Sequence, residues 1–318
     1  NTPPTISTIP DQTTTSGVPK LNIPFTVGDV QTAPDQLVVT AVSNNQTLLP
    51  NANIVLGGSG ADRTISVTPA AGKSGTATVT VSVTDKVPAG QTPATTSKSF
   101  LLTVVANTPP EIFYYEGNQT LLLDEATPNL PFTVQDAQTQ ASLLVVTATS
   151  DNTTLVPNNP ANLVLSGAGS NRFIQIVPVA GQSGTASITL EVRDEANAVA
   201  RKIIIVTVTP NTPPTISDIL DRATTVDTPT GPIPFTVSDI QTKAEQLVVT
   251  ASSSNPAIVP NDAAHLTLGG AGSARSINVT PVNGQLGTVD ITVSVTDGHS
   301  NTTSDTFKLT VTTNNPPT

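Results

Sequence analysis

One five-residue phrase recurs along this chain at nearly even spacing, and that spacing limits what the chain can fold into. Asn1-Thr-Pro-Pro-Thr5 returns as Asn107-Thr-Pro-Pro-Glu111, Asn211-Thr-Pro-Pro-Thr215 and Asn314-Asn-Pro-Pro-Thr318, with starts 106, 104 and 103 residues apart. The period is too long for a solenoid repeat and matches one small domain per copy. Tandem copying of a whole domain builds length or valency, the mark of a spacer, a fibre or a multivalent binder. The expected boundaries are residues 1–106, 107–210 and 211–313, with 314–318 opening the next linker. Because the chain opens and closes on the linker phrase and has no methionine, it reads as a window on a longer array. Any anchor or tip domain is expected outside it.

The third copy shows its fold class most plainly. From Thr288 to Thr296, Val289, Ile291, Val293 and Val295 alternate with Asp290, Thr292 and Ser294. This is the period of a strand with one buried face. Phe307, Leu309 and Val311 alternate in the same way, as do Ile277 and Val279. Further strands are expected at 233–237, 247–252 and 265–268, after short segments near 216–219, and no stretch carries a helical period. Turn residues separate the runs, as at Asp297-Gly298 and Gly269-Gly270-Ala271-Gly272. Seven or so short strands per copy predict an all-β chain of three tandem immunoglobulin-like β-sandwiches joined by short Pro-rich linkers.

Composition narrows the function classes. The chain is 36% hydrophobic but has seven Phe, two Tyr and no Trp, so branched aliphatic residues and Thr must pack its cores. The absence of cysteine removes disulfides, zinc–thiolate sites and thiol catalysis together. No apolar run reaches membrane-spanning length. The net charge is −10 and unevenly shared: residues 1–106 carry five positive and five negative groups, and each later copy carries four positive and nine negative. Such a surface repels a phosphate backbone, so nucleic acid is not expected as a partner.

Five motifs recur through the copies: the Asn-Thr-Pro-Pro linker, the Pro-Phe-Thr-Val-x-Asp strand end, the Leu-Val-Val-Thr-Ala strand, the Gly-rich hairpin and the Gly-x-x-Gly-Thr corner. In these the chain resembles, over all 318 residues, the immunoglobulin-like and cadherin-like tandem repeats of large bacterial surface proteins. It implies an extracellular or cell-surface setting and a non-enzymatic role as a stalk, fibre or filament. Neighbouring copies of the array then meet end to end. The alternative is an adhesin whose repeats bind calcium or glycan directly, with glycans or other surface proteins as partners.

Paired aspartates are the sharpest site candidates. Asp29, Asp136 and Asp239 follow the Phe-Thr-Val strand, and Asp85, Asp194 and Asp297 close the long alternating strand. In an immunoglobulin-like sandwich both strands run the same way, which brings each pair to the pole that carries the linker. The resemblance to cadherins implies calcium there, but the linker itself is not acidic and two carboxylates supply few of the six to eight oxygens calcium takes. The simpler expectation is that each Asp accepts backbone N–H groups in a turn and that no metal or cofactor is held. Possible glycan acceptors in Asn-x-Ser/Thr are Asn45, Asn118, Asn152, Asn278 and Asn301, a number that chance supplies in so Asn- and Thr-rich a chain.

Other recurring features have ordinary explanations. The Gly-rich segments at 57–60, 166–169 and 269–272 precede strands, not helices, so they read as hairpin loops instead of phosphate cradles. Arg63, Arg172 and Arg275 follow these loops and are expected at exposed strand positions or in surface ion pairs, with a partner contact as the alternative. The two histidines, His265 and His299, lie in the third copy with no nucleophile arrayed around them. Phe113, Tyr114 and Tyr115 occur in the second copy alone, where packing of a first strand is favoured over stacking on a sugar.

Overall fold

A computed structural model of the chain describes residues 1–87 and 92–314. Part of the first copy's longer final hairpin loop and the last linker residues lie outside the described residues. Among the described residues each copy contributes eight strands. The first has β1 Thr5–Ile6, β2 Gln12–Thr15, β3 Lys20–Gly28, β4 Val38–Ser43, β5 Ile54–Ser59, β6 Asp62–Val67, β7 Gly75–Thr84 and β8 Thr95–Val105. The second has β9 Glu111–Phe113, β10 Gln119–Leu121, β11 Leu130–Gln135, β12 Val145–Ser150, β13 Leu163–Ala168, β14 Asn171–Ile176, β15 Gly184–Arg193 and β16 Val199–Val208. The third has β17 Thr215–Ile216, β18 Arg222–Thr225, β19 Ile233–Ser238, β20 Val248–Ser253, β21 Leu266–Ala271, β22 Ala274–Val279, β23 Gly287–Thr296 and β24 Thr302–Thr312. The helical segments among the described residues are two single 3-10 turns, at Pro34–Gln36 and Asn51–Asn53.

The strands build six four-stranded sheets, two per copy. In the first copy the orders are β1-β3-β6-β5 and β2-β8-β7-β4, and the later copies repeat both. The eighth strand arises because the opening segment divides between the two sheets. β1 pairs antiparallel with β3, whereas β2 pairs parallel with β8; the third copy repeats this with β17 on β19 and β18 on β24. Ile9 and Ile219 are buried at the crossing between the two segments. By backbone proximity the chain forms two compact units, residues 1–119, 126–177 and 186–206, and residues 120–125, 178–185 and 207–318. The first contains the whole first sandwich, the second the whole third sandwich.

Alternation places the core as the sequence predicts. Val79, Val81 and Val83 of β7 lie against Ile65, Val67, Phe100 and Leu102 in the first core. Val293, Val295 and Ile291 do the same with Ile277, Val279, Phe307 and Leu309 in the third. Each such side chain removed from water contributes roughly 1.5–3 kcal/mol against the entropy of ordering it. On the solvent face of the first sandwich, hydroxyls pair across strands, Thr80 with Ser99 at 2.9 Å, Ser82 with Ser97 at 2.8 Å and Thr84 with Thr95 at 2.9 Å. The second copy sets charge at the corresponding place, where Glu191 binds Arg193 at 2.8 Å and Arg201 at 2.5 Å.

The Gly-rich hairpins have a steric cause. Gly58, Gly167 and Gly270 adopt φ of +82°, +89° and +87°. A Cβ on Gly58 would stand 2.3 Å from the Asp62 carbonyl oxygen, and the other two are equally crowded by Asn171 and Ala274. Only glycine fits.

Candidate functional site: the linker pole

Each sandwich gathers its two aspartates and its linker asparagine at one pole. The first Asp follows the third strand of the copy (β3, β11 or β19) and closes a tight turn. Asp29 Oδ1 accepts the backbone N–H groups of Gln31 at 2.8 Å and Thr32 at 2.6 Å. Asp136 does the same with Gln138 and Thr139, and Asp239 with Gln241 and Thr242. These bonds, led by the one from Thr32, hold the Asp29 carboxyl below the ordinary carboxylate range. The threonine of this turn in the later copies reaches the turn between the last two strands: Thr139 Oγ1 accepts Glu195 N–H at 3.5 Å, and Thr242 Oγ1 accepts Gly298 N–H at 3.2 Å.

The second Asp lies deeper, with Asp85, Asp194 and Asp297 only 2%, 4% and 6% exposed. Each turns Oδ1 to the following loop. Asp85 accepts Ala94 N–H, Asp194 accepts Ala198 N–H, and Asp297 accepts both His299 and Asn301 N–H, all at 2.8 Å. Each Oδ2 accepts the side-chain amide of the linker asparagine: Asn1 Nδ2 on Asp85 at 2.6 Å, Asn107 on Asp194 at 2.7 Å and Asn211 on Asp297 at 2.6 Å. Burial acts to raise the Asp297 carboxyl. The Asn211 amide and the two loop N–H groups outweigh it, and the group is held below its usual value.

The next linker residue adds a second clasp. The hydroxyl of Thr108 donates to Gln138 Oε1 at 2.8 Å and that of Thr212 to Gln241 Oε1 at 2.8 Å, and Thr2 is paired with Gln31 in the same way. Two adjacent linker residues are therefore fastened to two separate loops of the sandwich that follows them. Among the described residues, five buried acceptor atoms at these poles have no hydrogen-bond donor: Oδ2 of Asp29, Asp136 and Asp239, and Oδ1 of Asn107 and Asn211.

His299, in the loop capped by Asp297, also touches the preceding copy's sequence. Its Nε2 lies 2.8 Å from Asp124 Oδ2 within the second compact unit. Asp124 accepts the Gly181 N–H as well, and that bond followed by the imidazole contact lowers its carboxyl from the ordinary value. His265 makes a local pair with Asp262 at 2.8 Å.

The recurring arginines depart from expectation. Among the described residues they form no ion pairs, and each is only partly exposed. Arg63 donates from Nε to Gly60 O at 2.9 Å and from Nη2 to Pro34 O at 2.9 Å, tying the hairpin to a loop 29 residues away. Arg172 joins Gly169 to Ala141, and Arg275 joins Gly272 to Ala244. The reason is that backbone carbonyls, which carry no sequence signal, supply the acceptors. Of the second copy's aromatic trio, Tyr114 is buried with its hydroxyl on Gly117 O at 2.9 Å. Tyr115 is 84% exposed and stacks on Phe113 at 6.4 Å.

Several Asn-x-Ser/Thr side chains are engaged in turns. Asn45 Nδ2 donates to Thr76 O and its Oδ1 accepts Leu48 N–H. Asn152 Oδ1 accepts Leu155 N–H and Asn118 Oδ1 accepts Ile205 N–H. Asn278 stands within β22 and Asn301 at the loop that Asp297 caps. Among the described residues no group of three or more His, Cys, Asp or Glu is gathered where it could hold a metal ion. No described helix is long and apolar enough to cross a membrane.

Fold and pole together define a tandem array of two-sheet, immunoglobulin-like β-sandwiches whose linkers are hydrogen-bonded into the sandwich that follows. No family model matches the chain. A stretch of 171 residues, 54% of the chain, is 28% identical to the serine-rich adhesin for platelets of Staphylococcus aureus, and spans 7% of that protein. The same stretch matches the adhesin of strain MRSA252 at 28% identity and spans 12% of it. Similar solved structures include Sidekick-1 immunoglobulin domains 1–5, at TM-score 0.37 and 15% identity over 98% of this chain and 59% of that one. Mouse cadherin-23 EC22–24 is another, at TM-score 0.30 and 11% identity over 99% of this chain and all of that one.

Proposed function

We propose that this chain is a non-enzymatic, extracellular structural segment of a filament, fibre or surface stalk, with successive copies joined end to end. The reading takes its boundaries, residues 1–106, 107–210 and 211–313, from the recurrence of the linker phrase. The observation that carries the reading is the linker clasp. At the start of every copy the linker's Asn amide and Thr hydroxyl bind the sandwich that the linker opens, which fixes the direction in which the chain enters it. The Pro-Pro pair that follows restricts its own dihedrals and those of the residue before it. Local likeness to a bacterial surface adhesin supports the extracellular setting.

The alternative, an adhesin with calcium at the poles, draws on the orphaned acceptors. At the third pole these are Asp239 Oδ2 and Asn211 Oδ1. Calcium takes six to eight oxygens, while both Asp297 oxygens already accept protein donors. That shortfall of free oxygens favours the structural reading over the ion. Thermal unfolding of the chain in calcium and in chelator tests the choice. The structural reading expects the same transition in both, and a calcium-dependent rise would overturn it.

A further inference from the structure

We propose that two copies of this chain pair side by side through β4, strand against antiparallel strand, about a two-fold axis at Thr40. Sheet edges offer unpaired N–H and C=O groups, and natural proteins blunt them with shortness, charge, proline or bulges. In the first sandwich three of the four edges are blunted: β1 and β2 have two and four residues, and β5 contains Gly57 and Gly58, the latter at φ +82°. The fourth edge is β4, Val-Val-Thr-Ala-Val-Ser. It has six residues, no charge, no proline and an unbroken register against β7 from Val38↔Thr84 to Ser43↔Val79.

The direction of its free groups follows from two hydrogen bonds. Asn44 N–H reaches Thr78 O across the β7 side, while Ser43 N–H turns outward and is capped by Asn51 Oδ1 at 2.8 Å. By alternation, the backbone groups of Val39 and Ala41 face outward too, and those of Val38, Thr40 and Val42 face β7. A strand laid antiparallel with its Thr40 opposite this Thr40 then exchanges ladder bonds between Val39 of one copy and Ala41 of the other, on both sides of the axis.

The side chains make the second copy the fitting occupant. On the solvent face β4 presents Val38, Thr40 and Val42, with the valines 53% and 51% exposed. The pattern is a palindrome, so the two-fold axis sets Val38 against Val42 and Thr40 against Thr40, β-branched pairs of the favoured kind. The matching triplets, Val145-Thr147-Thr149 and Val248-Thr250-Ser252, lack this symmetry. Charge points the same way. The first copy balances five positive against five negative groups, whereas the other two each carry an excess of five negative, which repels a like partner. The lateral contact is independent of the axial reading above.

Sedimentation equilibrium of the full chain tests this, with circular dichroism to confirm folding. The wild type is expected to move from its 32.5 kDa monomer to twice that mass as concentration rises. Thr40→Lys should raise the dimer dissociation constant at least about tenfold by setting like charges together on the axis. Thr40→Lys mixed with Thr40→Glu should restore pairing, and Thr147→Lys should behave as the wild type. Because the chain has no cysteine, Thr40→Cys gives a second measure. Facing Cα atoms at such a position lie about 4.5 Å apart, within disulfide reach, so it should oxidise to a covalent dimer while Thr147→Cys does not. A wild type that stays monomeric, a Thr40→Lys variant that pairs like the wild type, or equal crosslinking at residues 40 and 147 would each overturn the proposal.

Discussion

Replacing Asp297 by alanine separates a pole that organises the joint from one that merely ends a strand. The carboxylate is 6% exposed and accepts three hydrogen bonds, from Asn211 Nδ2 and from the N–H groups of His299 and Asn301. Bonds to a charged group contribute roughly 1.5–3 kcal/mol each. The loop around His299 is exposed, so its freed N–H groups regain water and the losses fall short of the sum. A cost of about 3 kcal/mol to the third sandwich follows, which lowers the transition of a domain of this size by on the order of 15 °C. Asn211→Ala removes one bond and also one orphaned oxygen, so it should cost about 1 kcal/mol. The double variant should cost less than the two together by about the same amount, because the singles share that bond.

The pH dependence has a definite sign. Asp297 sits below its ordinary value of 3.8 when folded, so its contribution is fully present above that value. It is lost as pH falls from there through the lower folded value, and Asp297→Asn should lack this acid-side loss. Calorimetry of the full chain with amide exchange at His299 and Asn301 is the assay. Unchanged protection at those two amides and a cost under about 0.5 kcal/mol, within the scatter of ordinary surface substitutions, would refute the reasoning.

Gly270→Ala should cost roughly 2–3 kcal/mol, since the added Cβ meets backbone at 2.3 Å in a left-handed conformation, whereas Gly272→Ala faces open space and should cost only about 1 kcal/mol; urea unfolding distinguishes them. Arg275→Ala should destabilise the third sandwich by about 2 kcal/mol and loosen amide protection across the 269–274 hairpin, and Arg275→Lys should not restore it, because a lysine cannot span two carbonyls with a planar fork. His299→Ala should raise the Asp124 titration toward the ordinary carboxylate value, followed by carboxyl carbon NMR, while leaving it lowered in part by the Gly181 N–H.

How much of this was legible depended on how local the cause is. Alternation in 288–296 gave β23 to within a residue, because a strand's period is written in its own side chains. The opening segments near 216–219 were less legible. β18 begins at Arg222, since its pairing is decided by β24 more than eighty residues on. The aspartates were found from their recurrence at strand ends. Their asparagine partners, 84 to 87 residues away, were visible only as part of a linker phrase. Nothing local in the arginines pointed to the carbonyls they bind.

The sequence by itself determined the all-β class, the threefold copying, the buried face of each long strand and the glycines that turn the hairpins, because each is a short-range consequence of side-chain period or backbone sterics. Only the tertiary structure decided which groups meet. Closing the two sheets over one core brings the Asn of a linker to the Asp of a late strand, and the fork of Arg63 to carbonyls of two different loops. It also leaves β4 at the edge of its sheet, with only its Ser43 end capped by side chains of the following loop. Sheet closure sets these distances through the packing of the whole sandwich, and no window of neighbouring residues contains that information.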